Sequence, residues 1–476
     1  MKDGINRRQR RTWRLGTARL GTLALLLPLA LGSTAQTSLR WSSQQPATQV
    51  ATQVATVTIP PIAAVDRSRV DSVRRQIAYA PPPQRTVALG PGFNVHLFET
   101  MAQALVANQR VPGLALAIVK DGRILTARGY GITDVRAAEP IDAHTVFRLA
   151  SLSKSFAGTV TGLLVSEGAL RWDSKLTDFM PTLRLSDPTA AQQVTVADVL
   201  SHRVGLTRNT YDRDLEANVD YHSLVQKLAY APMACRPGAC YAYQNIAFSL
   251  IGDVVFAATG RFYGETLARR IFKPLGMNDA STGLEGIEAS PRWARPHVRG
   301  GGGWVSLMPK PNYYQVTPAA GVNASISDMA QWLIAQTGHR QDVLPDSLLA
   351  TLHAPVIDTP SELHGSSWRS QRLNAAGYAL GWRVYDYAGH RVVFHGGAVQ
   401  GYRGVVALVP DSDLGIAILW NSESALPSGL MPTILDTAIG LTPHWLDDGT
   451  LGDSLYARDA DEAPGVGSST AEAKPK

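Results

Sequence analysis

The sequence predicts a mixed α/β (α+β) fold, a mostly antiparallel sheet built from both ends of one domain, flanked by helices, with a helical lobe between. Two observations predict it. Strand-like runs gather at the beginning and end of a dense block, residues 93–445, while the middle carries helical periodicity. The first two strand-like runs, 114–120 and 123–130, are joined by Asp121-Gly122, a dipeptide suited to the positive φ angles of a two-residue hairpin. A cleft between sheet and lobe is where a site is expected.

The block opens with a helix at 96–108, before the hairpin. Helices at 155–167, 196–200, 245–259 and 327–336, with long loops, fill the middle. Strands return at 379–387, 391–395, 404–409 and 414–420. Residues 36–92 are rich in Gln, Ser, Thr, Ala and Pro and read as a spacer, with a short helix expected within 67–79. The Asp-, Ser-, Ala- and Gly-rich end, 446–476, reads as a disordered tail.

The net charge of +6 invites a nucleic-acid reading that its distribution excludes. Lys2, Arg7, Arg8, Arg10, Arg11, Arg14 and Arg19 against Asp3 give seven minus one, the whole excess; the remaining 38 basic and 38 acidic residues cancel. No nucleic-acid partner is expected. Residues 1–35 read instead as an export signal: the basic stretch, the apolar run Leu20 to Gly32, then Ser33-Thr34-Ala35 for cleavage. The run is shorter than the ~20 residues that span a bilayer, so no stable membrane span is expected after cleavage; an uncleaved N-terminal anchor is the alternative. A periplasmic or secreted location follows. In that setting Cys235 and Cys240, the two cysteines, read as a disulfide across Pro237-Gly238, with two free thiols as the alternative.

Three short motifs carry chemistry, each occurring once. Ser151-x-x-Lys154 places a hydroxyl and an amine one helical turn apart, and a base beside a serine makes it a nucleophile. Tyr243-Gln244-Asn245 offers a phenol and an amide. His395-Gly396-Gly397 ends an apolar strand with a titratable ring and two glycines. The histidines show no ligand spacing, so neither a metal nor another cofactor is expected. His202 reads as structural, holding a loop, and Trp304, Trp368 and Trp382 as core or cleft wall.

With these motifs on the page, the block resembles the class C β-lactamase and penicillin-binding serine hydrolase superfamily. That group includes D-alanyl-D-alanine carboxypeptidases, D-aminopeptidases and esterases of β-lactamase fold. Pro112-Gly113-Leu114 is similar to the family's opening, and Leu200-Ser201-His202-Arg203-Val204-Gly205-Leu206 to its "LSHxSGL" segment. Pro274-Leu275-Gly276-Met277, Ala320-Gly321-Val322 with Ser327-Asp328, and Gly401-Tyr402 with Pro410 and Asn421 extend the likeness to the closing strands.

The resemblance implies a β-lactamase/transpeptidase-like fold and assigns roles. Ser151 is the acylated nucleophile. Lys154 relays its proton and keeps Tyr243 electronegative, since an ammonium near a phenol favours the phenolate. Tyr243 is the base, and Asn245 holds Lys154 and contacts a substrate amide. The N–H groups of Ser151 and Ala398 form the oxyanion hole, while His395, Gly396 and Gly397 border the substrate. Two departures narrow the reading. His395 stands where β-lactamases carry a lysine, and Gly396 where many members carry a hydroxyl residue. Both weaken the case for efficient β-lactam hydrolysis and fit the peptidase and esterase branches. The expected function is an exported serine hydrolase acting through a Ser151 acyl-enzyme on an amide or ester carbonyl of a small-molecule or peptide substrate, cell-wall-derived material included; a β-lactam, a D-amino-acid peptide and a carboxylic ester all stay open, with a true β-lactamase level with a peptidase or esterase. A catalytically silent binding or scaffold protein of the same fold is the alternative.

Overall fold

The computed structural model describes residues 87–446. The expected export signal, the spacer up to residue 86, its short helix and the tail from 447 onward lie outside the described residues.

The strands in chain order are β1 (Gly113–Lys120), β2 (Arg123–Gly131), β3 (Val146–Arg148), β4 (Ser281–Thr282), β5 (His297–Gly300), β6 (Gly303–Ser306), β7 (Val322–Ser325), β8 (Ile357–Asp358), β9 (Leu373–Tyr378), β10 (Arg383–Tyr387), β11 (His390–Val399), β12 (Tyr402–Val409) and β13 (Leu414–Trp420). Eight form one sheet in the order β2-β1-β13-β12-β11-β10-β9-β8, every neighbouring pair antiparallel. The two ends of the block meet where β1 pairs with β13, from Leu114 opposite Trp420 to Lys120 opposite Leu414. The sheet is thus built from both termini, as the sequence predicts.

Both faces of this sheet are covered, so its central strands are apolar on both sides. Along β1, Leu114, Leu116 and Ile118 pack outward, against Phe98 of helix α1 (Val95–Ala107) and Ile434 of the C-terminal helix. Ala115, Ala117 and Val119 face inward, toward the lobe and the helices Ser153–Ser166 (α2) and Ile326–Ile334. The latter begins with a capping box: Ser325 accepts from the Asp328 N–H, and Asp328 from the Ser325 N–H.

Two strand expectations need correction. The run 379–387 is not one strand: β9 ends at Tyr378 and β10 starts at Arg383, with a turn between. Gly381 takes φ +86° there, and a Cβ on it would lie 2.3 Å from the Lys154 carbonyl oxygen. The apolar residues Ala379, Leu380 and Trp382 hide this turn because they are buried against the lobe. Strand β11 in turn runs past His395 to Val399, because β12 pairs with it through both glycines: Gly396 with Val405, Gly397 with Gly404. The third motif therefore lies within a strand instead of ending one.

Candidate active site

Ser151 sits where β3 turns into α2. Leu149 donates its N–H to the Val322 carbonyl, one 3-10 turn follows, and the helix starts at Ser153. Ala150 is held at φ +48°, an uncommon conformation for a residue with a Cβ. Such strain just before a hydroxyl, in a tight turn, is the kind of outlier that marks functional sites.

One turn on, Lys154 is completely buried. A buried lysine needs acceptors. Its Nζ donates to Asn245 Oδ1 (2.7 Å) and to the Ala319 carbonyl (3.1 Å), and lies 3.2 Å from Ser151 Oγ. The first two partners accept only, which commits two N–H groups to them. The side facing Ser151 is therefore an N–H when Lys154 is an ammonium and a lone pair when it is an amine. The same Nζ stands 4.6 Å from the centre of the Tyr243 ring.

Tyr243 completes the surroundings of Ser151: its hydroxyl is 2.9 Å from Ser151 Oγ. The loop carrying it is templated by residues 202–209. Ala242 donates to the His202 carbonyl (2.9 Å), Asn209 to the Tyr243 carbonyl (2.8 Å), and the Gln244 N–H to His202 Nδ1 (3.1 Å). Just upstream Cys235 and Cys240 are disulfide-bonded, and Gly238 between them donates to the Arg203 carbonyl. His202 thus anchors the loop through both its backbone and its ring.

Asn245 precedes helix α3 (Ile246–Thr259) but makes no side-chain cap. Its amide is engaged elsewhere, with Oδ1 on Lys154 and Nδ2 donating to Asp212 Oδ2 at 2.7 Å. Asp212 was not visible from the sequence. It lies 33 residues upstream with no motif around it, on a five-residue helix entered through Tyr211 at φ +62°. Burial pushes its carboxyl up to about 6, against the pull of the Asn245 hydrogen bond and the Lys154 charge. Its acceptor-only oxygen sets the polarity of the Asn245 amide, so that the carbonyl end faces the lysine.

The third motif departs from expectation. His395 is completely buried and has no surface to offer a substrate. Its ring lies between Tyr378 Oη (3.1 Å from Nε2) and the Gly396 carbonyl (2.7 Å from Nδ1). Burial first, then the nearby Arg383 and Lys154 charges, hold its pKa well below the usual histidine range, so the imidazole is neutral. What the motif brings against the Ser151 turn is its backbone. Gly397 lies against the Ser151 turn so closely that a Cβ would be 2.4 Å from the Leu149 carbonyl oxygen. That puts this stretch of β11 directly against the turn Ala150–Leu152 that carries Ser151. On the other face of the sheet, away from the Ser151 turn, Gly396 and Ala398 line a crevice with Trp368, Arg369, Arg403 and Met431. Trp382 is core, whereas Trp368 reaches this crevice.

Among the described residues, no group of three or more His, Cys, Asp or Glu side chains is placed to hold a metal, and no single helix is long and apolar enough to cross a membrane.

A family model described as Beta-lactamase matches residues 98–439. The chain belongs to that family. Curated relatives include a D-aminopeptidase of Gluconobacter oxydans, 29% identical over 69% of this chain and 59% of that protein. The unguisins hydrolase ungD' of Aspergillus campestris is 24% identical over 71% of this chain and 63% of its own length. Penicillin-binding protein 4 of Amycolatopsis lactamdurans is 26% identical over 68% and 84%. The match spans about three fifths of the first curated relatives' length. Among solved structures, the octameric penicillin-binding protein homologue from Pyrococcus abyssi superposes with a TM-score of 0.65 at 25% identity, covering 74% of this chain and 78% of that one. A D-stereospecific amidohydrolase from Streptomyces, at 21% identity and TM-score 0.57 over 72% and 98%, shares the fold.

Proposed function

We propose that this protein is a serine hydrolase that forms an acyl-enzyme on Ser151 and acts on amide or ester carbonyls, with D-amino-acid peptides or amides as the favoured substrate class. One observation carries the reading: Ser151 Oγ lies within hydrogen-bond reach of both Tyr243 Oη and Lys154 Nζ. The D-aminopeptidase relatives support the substrate class. So does the neutral His395, because the third motif then offers no cation to a β-lactam carboxylate.

In the first half-reaction the Ser151 proton passes to Tyr243, with Lys154 as relay, while Oγ attacks the carbonyl carbon. The oxyanion is met by the N–H groups of Ser151 and Ala398; one such donor is typically worth ~2.7–4 kcal/mol. Collapse breaks the bond to the leaving amine or alkoxide, which takes the proton from Tyr243. Water then attacks the ester, its proton passing to Tyr243 and on to Ser151 as the acid is released.

Export to the periplasm or medium is part of the proposal. It is supported by the basic-then-apolar N-terminus and by the disulfide, a bond that persists in oxidising compartments. The test of function is a panel of a D-amino-acid amide, a D-Ala-D-Ala peptide, a p-nitrophenyl ester and nitrocefin, run with Ser151→Ala alongside. Turnover of the amide or ester, lost in the variant, with nitrocefin the slowest, is expected. Failure to turn over any substrate, with no covalent labelling by a fluorescent penicillin, would leave the silent binding protein as the better account.

A further inference from the structure

Three buried rings that the acyl-transfer steps do not use lie between the base loop and the oxyanion strand. His202, Tyr378 and His395 all have zero exposure. Their hydrogen bonds connect end to end: Gln244 N–H to His202 Nδ1, His202 Nε2 with Tyr378 Oη, Tyr378 Oη with His395 Nε2, and His395 Nδ1 with the Gly396 carbonyl.

The proton positions follow from one end. A backbone N–H can only donate, so His202 Nδ1 is an acceptor. His202 is neutral, kept so by burial first and then by the nearby Lys154 and Arg383 charges, so its hydrogen is on Nε2 and points at Tyr378. The tyrosine hydrogen is then directed to His395 Nε2, which leaves the His395 hydrogen on Nδ1, facing a carbonyl that can only accept. Each donor in the series has an acceptor, and no alternative direction is compatible with both ends.

The two ends are the peptide units that need fixing. One is the Tyr243–Gln244 peptide, next to the base. The other is the Gly396–Gly397 peptide, adjacent to the one that bears the Ala398 N–H. Two glycines make that stretch intrinsically loose. Strand β10 pairs with β11 only as far as Phe394, so from His395 onward β12 is its strand partner. His202 itself is held at φ +58°, a backbone strain that suits a constrained positioning role.

We propose that Tyr378 is a positioning residue whose hydroxyl, through His202 and His395, holds the Tyr243 loop and the Gly396–Ala398 strand at a fixed separation across Ser151. The proposal rests on the acyl-enzyme reading above, and its test is arranged to separate the two. Tyr378→Phe keeps the ring and removes the link. In the full chain, with a p-nitrophenyl ester, it is expected to lower kcat about tenfold while KM changes less than about twofold, because a misplaced reacting group loses rate more than binding. His395→Asn interrupts the series at its other end and should give a similar loss. If the series acts as a unit, the double variant is no more than about twofold slower than the slower single variant. Wild-type kcat in either folded variant, a loss confined to KM, or losses that multiply in the double variant would overturn the proposal. Circular dichroism at the assay temperature establishes folding, and His395→Asn decides the outcome if Tyr378→Phe does not fold. Residual turnover in Ser151→Ala overturns the acyl-enzyme reading instead. An inactive Ser151→Ala beside a full-speed Tyr378→Phe overturns the positioning role alone.

Discussion

Lys154 and His395 are equally buried, each with zero exposure, yet their surroundings make opposite use of burial. Around Lys154 the lobe supplies oxygen: Ser151 Oγ, Asn245 Oδ1 and the Ala319 carbonyl, with the Asp212 carboxyl behind Asn245. Around His395 there are one hydroxyl and one carbonyl, with cations nearby. The first site accommodates a proton-bearing nitrogen beside Ser151 Oγ. The second keeps its ring neutral and uses it as a strut. The difference teaches that a basic residue in a motif is defined by the number of acceptors that folding brings to it, not by its residue type.

The largest test of this contrast is Lys154→Met, which keeps the volume and removes the nitrogen. Acylation of Ser151, read as the p-nitrophenol burst, should fall by roughly 10³-fold or more, as for loss of a member of a catalytic unit. A residual rate near wild type would show that Tyr243 alone activates the serine.

Next comes His395→Lys, which writes the family's usual lysine back into the third motif. Its ammonium would enter a buried place that holds one hydroxyl, one carbonyl and the Arg383 field, a poor match for a cation. Urea unfolding should show a loss of about 3 kcal/mol or more, as for an uncompensated buried charge, with no gain in nitrocefin turnover. A stable variant with improved nitrocefin hydrolysis would erase the contrast.

The third test concerns Asp212 and runs the other way. Its folded pKa, raised from 3.8 to about 6, lies above the unfolded value. Below about pH 3.8 both states hold the proton and the group is neutral in the balance. As pH climbs from there to about 6 the unfolded chain ionises first, so stability falls; above that the full penalty, about 3 kcal/mol, is in place. Asp212→Asn should therefore unfold at higher urea than wild type at pH 7.5, with the gain shrinking toward pH 4. Activity should drop, because an asparagine no longer dictates which end of the Asn245 amide faces Lys154. A variant no more stable at pH 7.5 would mean that the carboxylate is better solvated than its burial implies. Comparing the two proteins at each pH removes the parallel contribution of Asp328, also raised to about 6 by burial.

Some parts of this site were legible because their information is local. Ser151 and Lys154 are three residues apart on one turn, so helical geometry alone brings them together. The Asp121-Gly122 hairpin and the Cys235–Cys240 pair are equally local, and each appears where the residues suggest. The Gly381 turn was hidden because its apolar neighbours read as strand whether or not the chain bends. Asp212 and Tyr378 were invisible for another reason. Neither carries a spacing signal, and each acquires a role only through a partner far along the chain, Asn245 and the two histidines.

The sequence by itself determined the alternation of buried strands, the sheet shared by both ends of the block, and the pairing of a serine with a lysine, since these follow from periodicity and turn chemistry. Tertiary structure alone decided that Lys154 would be surrounded by acceptors, that His395 would be sealed from the cleft, and that Asp212 would be buried with a raised pKa. The physical reason is that charge state and hydrogen-bond partnership depend on burial and on which distant groups arrive in the same place, and residue type does not record either.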